Sequence, residues 1–124
     1  MSEWDWLSII MNMIAVEDAS MLGGSPLDGS EAGKELKSLG EGWSIGGGRM
    51  VEKEYQLKDF AQAVDFMEAV TALATEENHH PDISLFKQNR VKVQLLTREI
   101  GGLSRQDFGM ASKIDGIWKE RFST

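Results

Sequence analysis

Residues 58–78 read KDFAQAVDFMEAVTALATEEN and form the longest regular pattern in the chain. This stretch contains no glycine or proline, and its apolar residues recur every three or four positions, as in an amphipathic helix. One line along the helix contains Phe60, Val64, Met67 and Thr71. This line is flanked by Ala63, Phe66, Val70 and Leu73. The stretch therefore predicts a long helix with a buried face that ends at Asn78.

One pair of short strands is predicted on each side of this helix. Before it, WSIGGG (43–48) and RMVEKEYQL (49–57) predict a hairpin whose turn is supplied by the glycines. After it, DISLF (82–86) and VKVQLLT (91–97) predict a second pair around KQNR. A phosphate-binding loop in GEGWSIGGG is disfavoured, because it lacks the lysine and the strand-then-helix context of such loops.

Two further helices complete the predicted domain. SEAGKELKSLGEG (30–42) predicts a short helix capped by Ser30, and SRQDFGMASKIDGIWKERF (104–122) predicts a last helix opened by a capping box of Ser104 and Asp107. The order is α-β-β-α-β-β-α. We predict an α+β two-layer sandwich with a four-stranded, mainly antiparallel sheet and helices on one face. An uncovered face or sheet edge would favour self-association.

Residues 1–29 differ from the rest of the chain. EWDWLSIIMNMIAVEDAS (3–20) predicts an extra N-terminal helix, and a linker rich in Gly, Ser and Pro follows it. Five acids and no basic residue give this segment −5 of the net charge of −7. We predict an acidic helix and linker at 1–29 and one domain at 30–124. The helix is interpreted as core of its own domain or of a sister chain, with binding of a partner as the alternative.

Composition excludes several classes of function. A chain of 124 residues is most economically one domain, and without cysteine it has neither a disulfide nor a thiolate nucleophile. A net charge of −7 argues against a general nucleic-acid-binding protein. The longest apolar run, LSIIMNMIAV (7–16), has about half of the roughly 20 residues that span a bilayer. No basic leader precedes this run, so we expect a cytoplasmic protein with no membrane contact.

The only two histidines of the chain, His79 and His80, are adjacent and precede Pro81. They lie between the long helix and a strand, where a loop can hold side chains at the mouth of a cleft. Because Pro81 pushes His80 towards extended backbone, the two imidazoles should point in different directions. Imidazoles exchange protons near neutral pH, so the pair is a candidate acid/base site. The alternatives are a helix cap and, less favoured because the i, i+4 spacing is absent, a metal site.

Three short motifs give the chain a family resemblance. They are HHPD after the KDF helix, NRV at the entry of a strand, and GGLS before the last helix. With them, the region from about Leu36 to Asp115 resembles the pterin-4a-carbinolamine dehydratases, also called dimerisation cofactors of a homeodomain transcription factor. The resemblance implies the α-β-β-α-β-β-α fold predicted above and assembly into dimers or tetramers.

The resemblance also implies a reaction. Family members remove water from 4a-hydroxytetrahydrobiopterin, giving the quinonoid dihydropterin without a metal or organic cofactor. An acid protonates the departing hydroxyl, and a base takes the proton of the neighbouring ring nitrogen. By resemblance, His79 is the principal acid/base and His80 orients the substrate or relays a proton. The substrate-binding residues implied in the same way are Pro81, Asp82, Phe86 and Asp107; the alternative role of Asp107 is the capping box.

Three departures from the family pattern fall around this site. Arg98 occupies the position of the third family histidine, and a guanidinium can bind an anion but cannot act as a base. Thr75 stands where an acidic residue is usual, with Glu76 and Glu77 beside it. One residue is added within 86–89, and the family tyrosine is missing there.

These departures lead to two functional hypotheses. The first is a non-catalytic binding or assembly protein, because relatives with degraded sites include Rubisco assembly chaperones encoded among carboxysome genes; Rubisco would then be a partner. The second is an active dehydratase of tetrahydrobiopterin recycling that binds a pterin, which the intact HHPD supports. The sequence slightly favours the first.

Overall fold

The computed structural model describes residues 26–47 and 49–123. The helix predicted at 3–20 lies outside the described residues. The helices and strands are α1 (Gly29–Lys37), β1 (Ser44–Gly46), β2 (Met50–Gln56), α2 (Phe60–Glu77), β3 (Asp82–Phe86), β4 (Arg90–Leu95) and α3 (Arg105–Ile117). A 3₁₀ turn at Arg98–Ile100 precedes α3, and a π-helical turn at Trp118–Phe122 follows it. The predicted α-β-β-α-β-β-α order is confirmed.

The four strands form one sheet in the order β1-β2-β4-β3, and every pair is antiparallel. The two hairpins therefore meet at β2 and β4, with Val51 opposite Leu95 and Tyr55 opposite Val91. In the β3–β4 turn, Lys87 and Gln88 have φ angles of 50° and 71°, a left-handed conformation that is uncommon outside glycine. The antiparallel sheet predicted from the sequence is confirmed.

The core lies between one face of the sheet and the helices. On β2 and β4 the buried side chains alternate along the strand, namely Val51, Tyr55, Val91, Val93 and Leu95. Helix α2 packs over them with Ala63, Phe66, Val70 and Ala74. The line through Phe60 is peripheral by comparison, because Phe60 is 57% exposed and Thr71 is exposed as well.

The N-cap predicted for the first helix is wrong. Asp28, not Ser30, caps α1: its carboxylate accepts a hydrogen bond of 2.8 Å from the Glu31 N–H. The carboxylate of Glu31 in turn accepts a hydrogen bond of 3.2 Å from the backbone N–H of Asp28. Asp28 and Glu31 thus form a capping box. Ser30 could not form one, because the residue three positions after it is Gly33, which has no side chain to accept a hydrogen bond.

A buried carboxylate joins the last helix to the first hairpin. Asp115 of α3 accepts hydrogen bonds from Trp43 Nε1 at 2.8 Å and Tyr55 Oη at 2.6 Å, and it forms an ion pair with Lys53 at 2.8 Å. Burial, followed by this hydrogen bond and the charge of Asp115, raises the pKa of Tyr55 far above its ordinary value. Tyr55 is therefore a fixed hydrogen-bond donor at the sheet–helix interface.

The other face of the sheet has no described helix over it and is polar. Glu54 pairs with Arg90 at 3.0 Å and Glu52 with Lys92 at 3.4 Å, so the charges on the two central strands largely balance. None of the described helices is long and apolar enough to cross a bilayer.

Candidate functional site

The end of α2 sets the position of the histidine pair. Asn78 adopts a left-handed conformation with a φ of 53° and a ψ of 40°, which ends the helix. The backbone N–H of His79 still donates to the carbonyl of Ala74, at 3.1 Å, so the first histidine is held against the last turn. The chain then leaves the helix through Pro81 and enters β3.

His79 is directed into the domain. Its side chain is 9% exposed, and its Nε2 lies 2.5 Å from Oδ1 of Asp107 in the first turn of α3. Asp107 is fully buried. A buried carboxylate at this position is stabilised by hydrogen-bond donors and by the positive end of the helix dipole.

The second carboxylate oxygen of Asp107 accepts two more hydrogen bonds. Thr97 Oγ1 donates to Oδ2 at 2.8 Å, and the backbone N–H of Ser104 donates at 2.9 Å. Thr97 Oγ1 also lies 2.7 Å from Ser104 Oγ. Because the single hydroxyl proton of Thr97 is directed at Asp107, the Ser104 hydroxyl is the donor of that bond. The predicted capping box of Ser104 and Asp107 is present, within a larger buried network.

This network determines which nitrogen of a neutral His79 carries the hydrogen. An ionised carboxylate only accepts hydrogen bonds, so the imidazole Nε2 must carry a hydrogen. In the neutral ring, Nδ1 then holds the lone pair and is the nitrogen left to accept a hydrogen bond. A histidine oriented by a buried carboxylate is a common arrangement for acid/base chemistry.

The remaining residues of the HHPD motif lie nearer the surface. His80 is exposed, Pro81 is half-buried, and Asp82 is the exposed first residue of β3. Asp82 Oδ1 accepts a hydrogen bond of 2.8 Å from Arg98 Nη2. The two histidines therefore have different environments, and Arg98 connects the turn after β4 to the HHPD segment.

Other predicted site residues are not brought to the histidines. Phe86 is four residues beyond Asp82, at the other end of β3, which is about 13 Å along a strand. Thr75 is exposed and donates its hydroxyl hydrogen to the Thr71 carbonyl, and Glu77 forms an ion pair with Lys113. Within residues 26–47 and 49–123, no three His, Asp or Glu side chains are grouped as a metal site would require.

Sequence reasoning missed Thr97. The alternation of Val91, Val93 and Leu95 continues to Thr97, which is 9% exposed and thus a polar residue at an inward-facing position. A buried hydroxyl requires a hydrogen-bond partner, and this signal could have been read from the strand pattern. That the partner is Asp107 depends on how α3 packs on the sheet.

Comparisons with known proteins agree with this architecture. A family model described as pterin 4 alpha carbinolamine dehydratase matches residues 25–117. A Saccharolobus solfataricus protein named "Putative pterin-4-alpha-carbinolamine dehydratase" is 39% identical over 92 residues, which are 73% of this chain and 94% of that protein. A protein of the same name from Alkaliphilus metalliredigens is 36% identical over 94 residues, covering 76% and 84% of the two chains.

Solved structures give the same result. A transcriptional coactivator/pterin dehydratase from Brucella melitensis superposes with a TM-score of 0.69 and 32% identity, covering 75% of this chain and 98% of that one. A pterin dehydratase-like protein, described as a RuBisCO assembly factor in the alpha-carboxysome, superposes with a TM-score of 0.53. It is 24% identical and covers 62% and 89% of the two chains, so it supports the fold alone. The chain belongs to the pterin-4a-carbinolamine dehydratase family.

Proposed function

We propose that this chain is a dehydratase of pterin 4a-carbinolamines that uses His79, oriented by Asp107, for proton transfer. The observation that carries the proposal is the 2.5 Å contact between His79 and a fully buried Asp107 that accepts two further hydrogen bonds. A fold that needed only a helix cap would not require a histidine to be buried against the capping carboxylate. Relatives that are 36–40% identical to the chain over 91–94 aligned residues carry the name "Putative pterin-4-alpha-carbinolamine dehydratase".

The chemistry needs two proton transfers and no change of oxidation state. The carbon–oxygen bond of the carbinolamine breaks as the hydroxyl is protonated, and water leaves. The neighbouring ring nitrogen loses its proton, and its electron pair forms the new carbon–nitrogen double bond. In the proposed mechanism His79 exchanges a proton through Nδ1, while the exposed imidazole of His80 orients the substrate or relays the second proton.

Arg98 takes the position of a family histidine and cannot perform that residue's proton transfer. Loss of one acid/base group typically lowers a rate by ~10²–10⁴. The proposed enzyme is therefore slower than a relative with three histidines, and Arg98→His should raise its turnover.

The test is the dehydration of freshly generated 4a-hydroxytetrahydropterin by the full chain, compared with His79→Ala and His80→Ala. Acceleration over buffer that is lost in His79→Ala supports the proposal. Equal rates for buffer and the full chain would contradict it. Near-ultraviolet circular dichroism of each variant shows whether the tertiary structure is retained.

A second candidate function is a non-catalytic protein-binding role, of which Rubisco assembly is one example. Two observations favour it: Arg98 stands where the family has an acid/base histidine, and its charge is partly neutralised by an ion pair with Asp82. In this case the purified chain would not accelerate dehydration, and His79→Ala would retain capture of the partner. Co-purification with Rubisco large subunit, compared between the full chain and a chain lacking residues 1–22, tests this candidate.

A further inference from the structure

Arg98 lies on a hydrogen-bonded turn next to the candidate site. The turn is closed by two backbone bonds, Thr97 N–H to the Gly102 carbonyl at 2.8 Å and Gly102 N–H to the Thr97 carbonyl at 3.3 Å. Gly101 contributes a left-handed residue with a φ of 70°. Thr97, the residue before Arg98, is itself hydrogen-bonded to Asp107. Thr97 and Asp107 thus link the backbone beside Arg98 to His79.

The guanidinium of Arg98 is not used to hold the fold together. Its only ion pair among the described residues joins it to Asp82, and the two side chains are 64% and 51% exposed. An ion pair this exposed stabilises a protein by only ~0–1 kcal/mol. One Arg98 nitrogen donates to Asp82, and the planar group keeps further N–H donors that face no described acceptor. These donors match the two oxygens of a carboxylate or a phosphate.

A second guanidinium reaches the same turn. Arg49 Nη2 lies 4.0 Å from the position that a Cβ on Gly101 would occupy. One exposed acid, Glu99, is also on the turn, and Asp82 is bound to Arg98. An anionic ligand at Arg98 would therefore be bound by directed hydrogen bonds more than by net charge.

We infer that Arg98 makes the site selective for pterins whose side chain carries an anionic group, a carboxylate or a phosphate. This inference rests on the proposed function, because it assigns a pterin to the same site. Arg98 is here a residue that determines specificity: it binds the side chain of the substrate, while His79 transfers protons at the ring.

The test uses stable, fluorescent pterins that share one ring system. Dissociation constants are measured for pterin-6-carboxylate, 6-hydroxymethylpterin and 6-hydroxymethylpterin phosphate with the full chain, Arg98→Gln and Arg105→Gln. Arg105 is the matched control, because it is also 64% exposed and also pairs with an exposed acid, Glu31, at 3.9 Å. The charge lost is therefore the same in both variants.

At least one anionic pterin should bind the full chain about tenfold more tightly than the neutral one, the amount expected of a charge-assisted hydrogen bond. Arg98→Gln should remove this preference, and Arg105→Gln should keep it. The pterin with the larger preference identifies carboxylate or phosphate as the group recognised. Equal affinities for the three pterins, no binding of any, or a preference that survives in Arg98→Gln would overturn the inference.

Failure of the inference and failure of the proposed function give different results. If the chain accelerates dehydration of the neutral carbinolamine but shows no preference for anionic pterins, only the specificity inference is wrong. If it prefers anionic pterins through Arg98 but leaves the dehydration rate unchanged, the site binds pterins and the dehydratase function is wrong.

Discussion

At the scale of single residues, Asp107 has two roles that the sequence shows only in part. Its position three residues after Ser104 predicts the capping box, and that local pattern is present. Its hydrogen bonds to His79 and Thr97 join residues 28 and 10 positions away along the chain. No local pattern contains such contacts. The resemblance could therefore identify Asp107 as a candidate site residue, but only the packing shows which groups form hydrogen bonds with it.

Thr97 tests whether this network positions His79 for the proposed proton transfer. Thr97→Val keeps the shape of the side chain but removes one donor to Asp107, so we expect kcat for dehydration to fall by about tenfold. Thr97→Ser keeps the hydroxyl and should retain most of the activity. Steady-state kinetics of both variants checks this, with the tautomer of His79 read by ¹⁵N NMR. A Thr97→Val enzyme with unchanged kcat and tautomer would contradict a positioning role.

Tyr55 gives a prediction about pH. Its pKa is raised in the folded state, so its contribution to stability is complete below the unfolded pKa near 10 and is lost as the pH rises further. Above pH 10 the free energy of unfolding should fall by up to about 1.4 kcal/mol per pH unit through this residue. When the free energy of unfolding is measured by urea titration, it should fall less between pH 9 and 11 for Tyr55→Phe than for the full chain. An equal fall in both proteins would contradict the assignment. Tyr55 is the only tyrosine, so absorbance can follow its ionisation directly.

At the scale of helices and strands, regular patterns are what the sequence predicts best. Helix α2 and the alternating strand β4 were predicted because their periods of 3.6 and 2 persist over many residues. The cap of the first helix was predicted wrongly, because Ser30 and Asp28 both resemble N-caps and only Asp28 has an acid three residues later. The sequence also did not show which apolar line of α2 faces the sheet, since both lines lie on the same broad apolar face.

Two glycines give opposite predictions for a Cβ. Gly109 is exposed within α3, and an added methyl would meet no atom within 4 Å, so Gly109→Ala should raise the free energy of unfolding by about 0.5–1 kcal/mol. A Cβ on Gly40 would lie 2.9 Å from Asp115 Oδ2, the atom that accepts the Trp43 hydrogen bond. Gly40→Ala should therefore destabilise the domain by about 1–3 kcal/mol. Denaturant titrations distinguish the two, and a stabilising Gly40→Ala would show that this packing is loose.

At the scale of the whole molecule, buried polar groups connect the two layers at both ends of α3. Asp107 joins the start of the helix to His79 and Thr97, and Asp115 joins its later part to the first hairpin. Both carboxylates connect segments far apart in sequence, and apolar packing alone would not specify this register. The sequence predicted the layers, because their patterns are local, but not these two connections.

The buried hydrogen bonds and ion pair of Asp115 should contribute much more to stability than an ion pair on the polar face of the sheet. Asp115→Ala leaves Lys53, whose side chain is 15% exposed, without its partner, and we expect a loss of about 3 kcal/mol or more. Glu54→Ala removes a pair with Arg90 in which both side chains are about 40% exposed, and should cost at most about 1 kcal/mol. Thermal unfolding of both variants checks the difference, and similar losses would mean that Asp115 is not a structural hub.

In the proposed mechanism a buried carboxylate, Asp107, acts through His79 to support dehydration. The most direct measurement is the single-turnover rate of 4a-hydroxytetrahydropterin dehydration by the full chain and by Asp107→Asn. Asp115→Asn serves as the control for changing a buried carboxylate of the same helix, and each protein is assayed where circular dichroism shows it folded. We predict that Asp107→Asn is slower by at least about tenfold while Asp115→Asn is close to the full chain. A folded Asp107→Asn protein as fast as the full chain, or a full chain no faster than buffer, would contradict the claim.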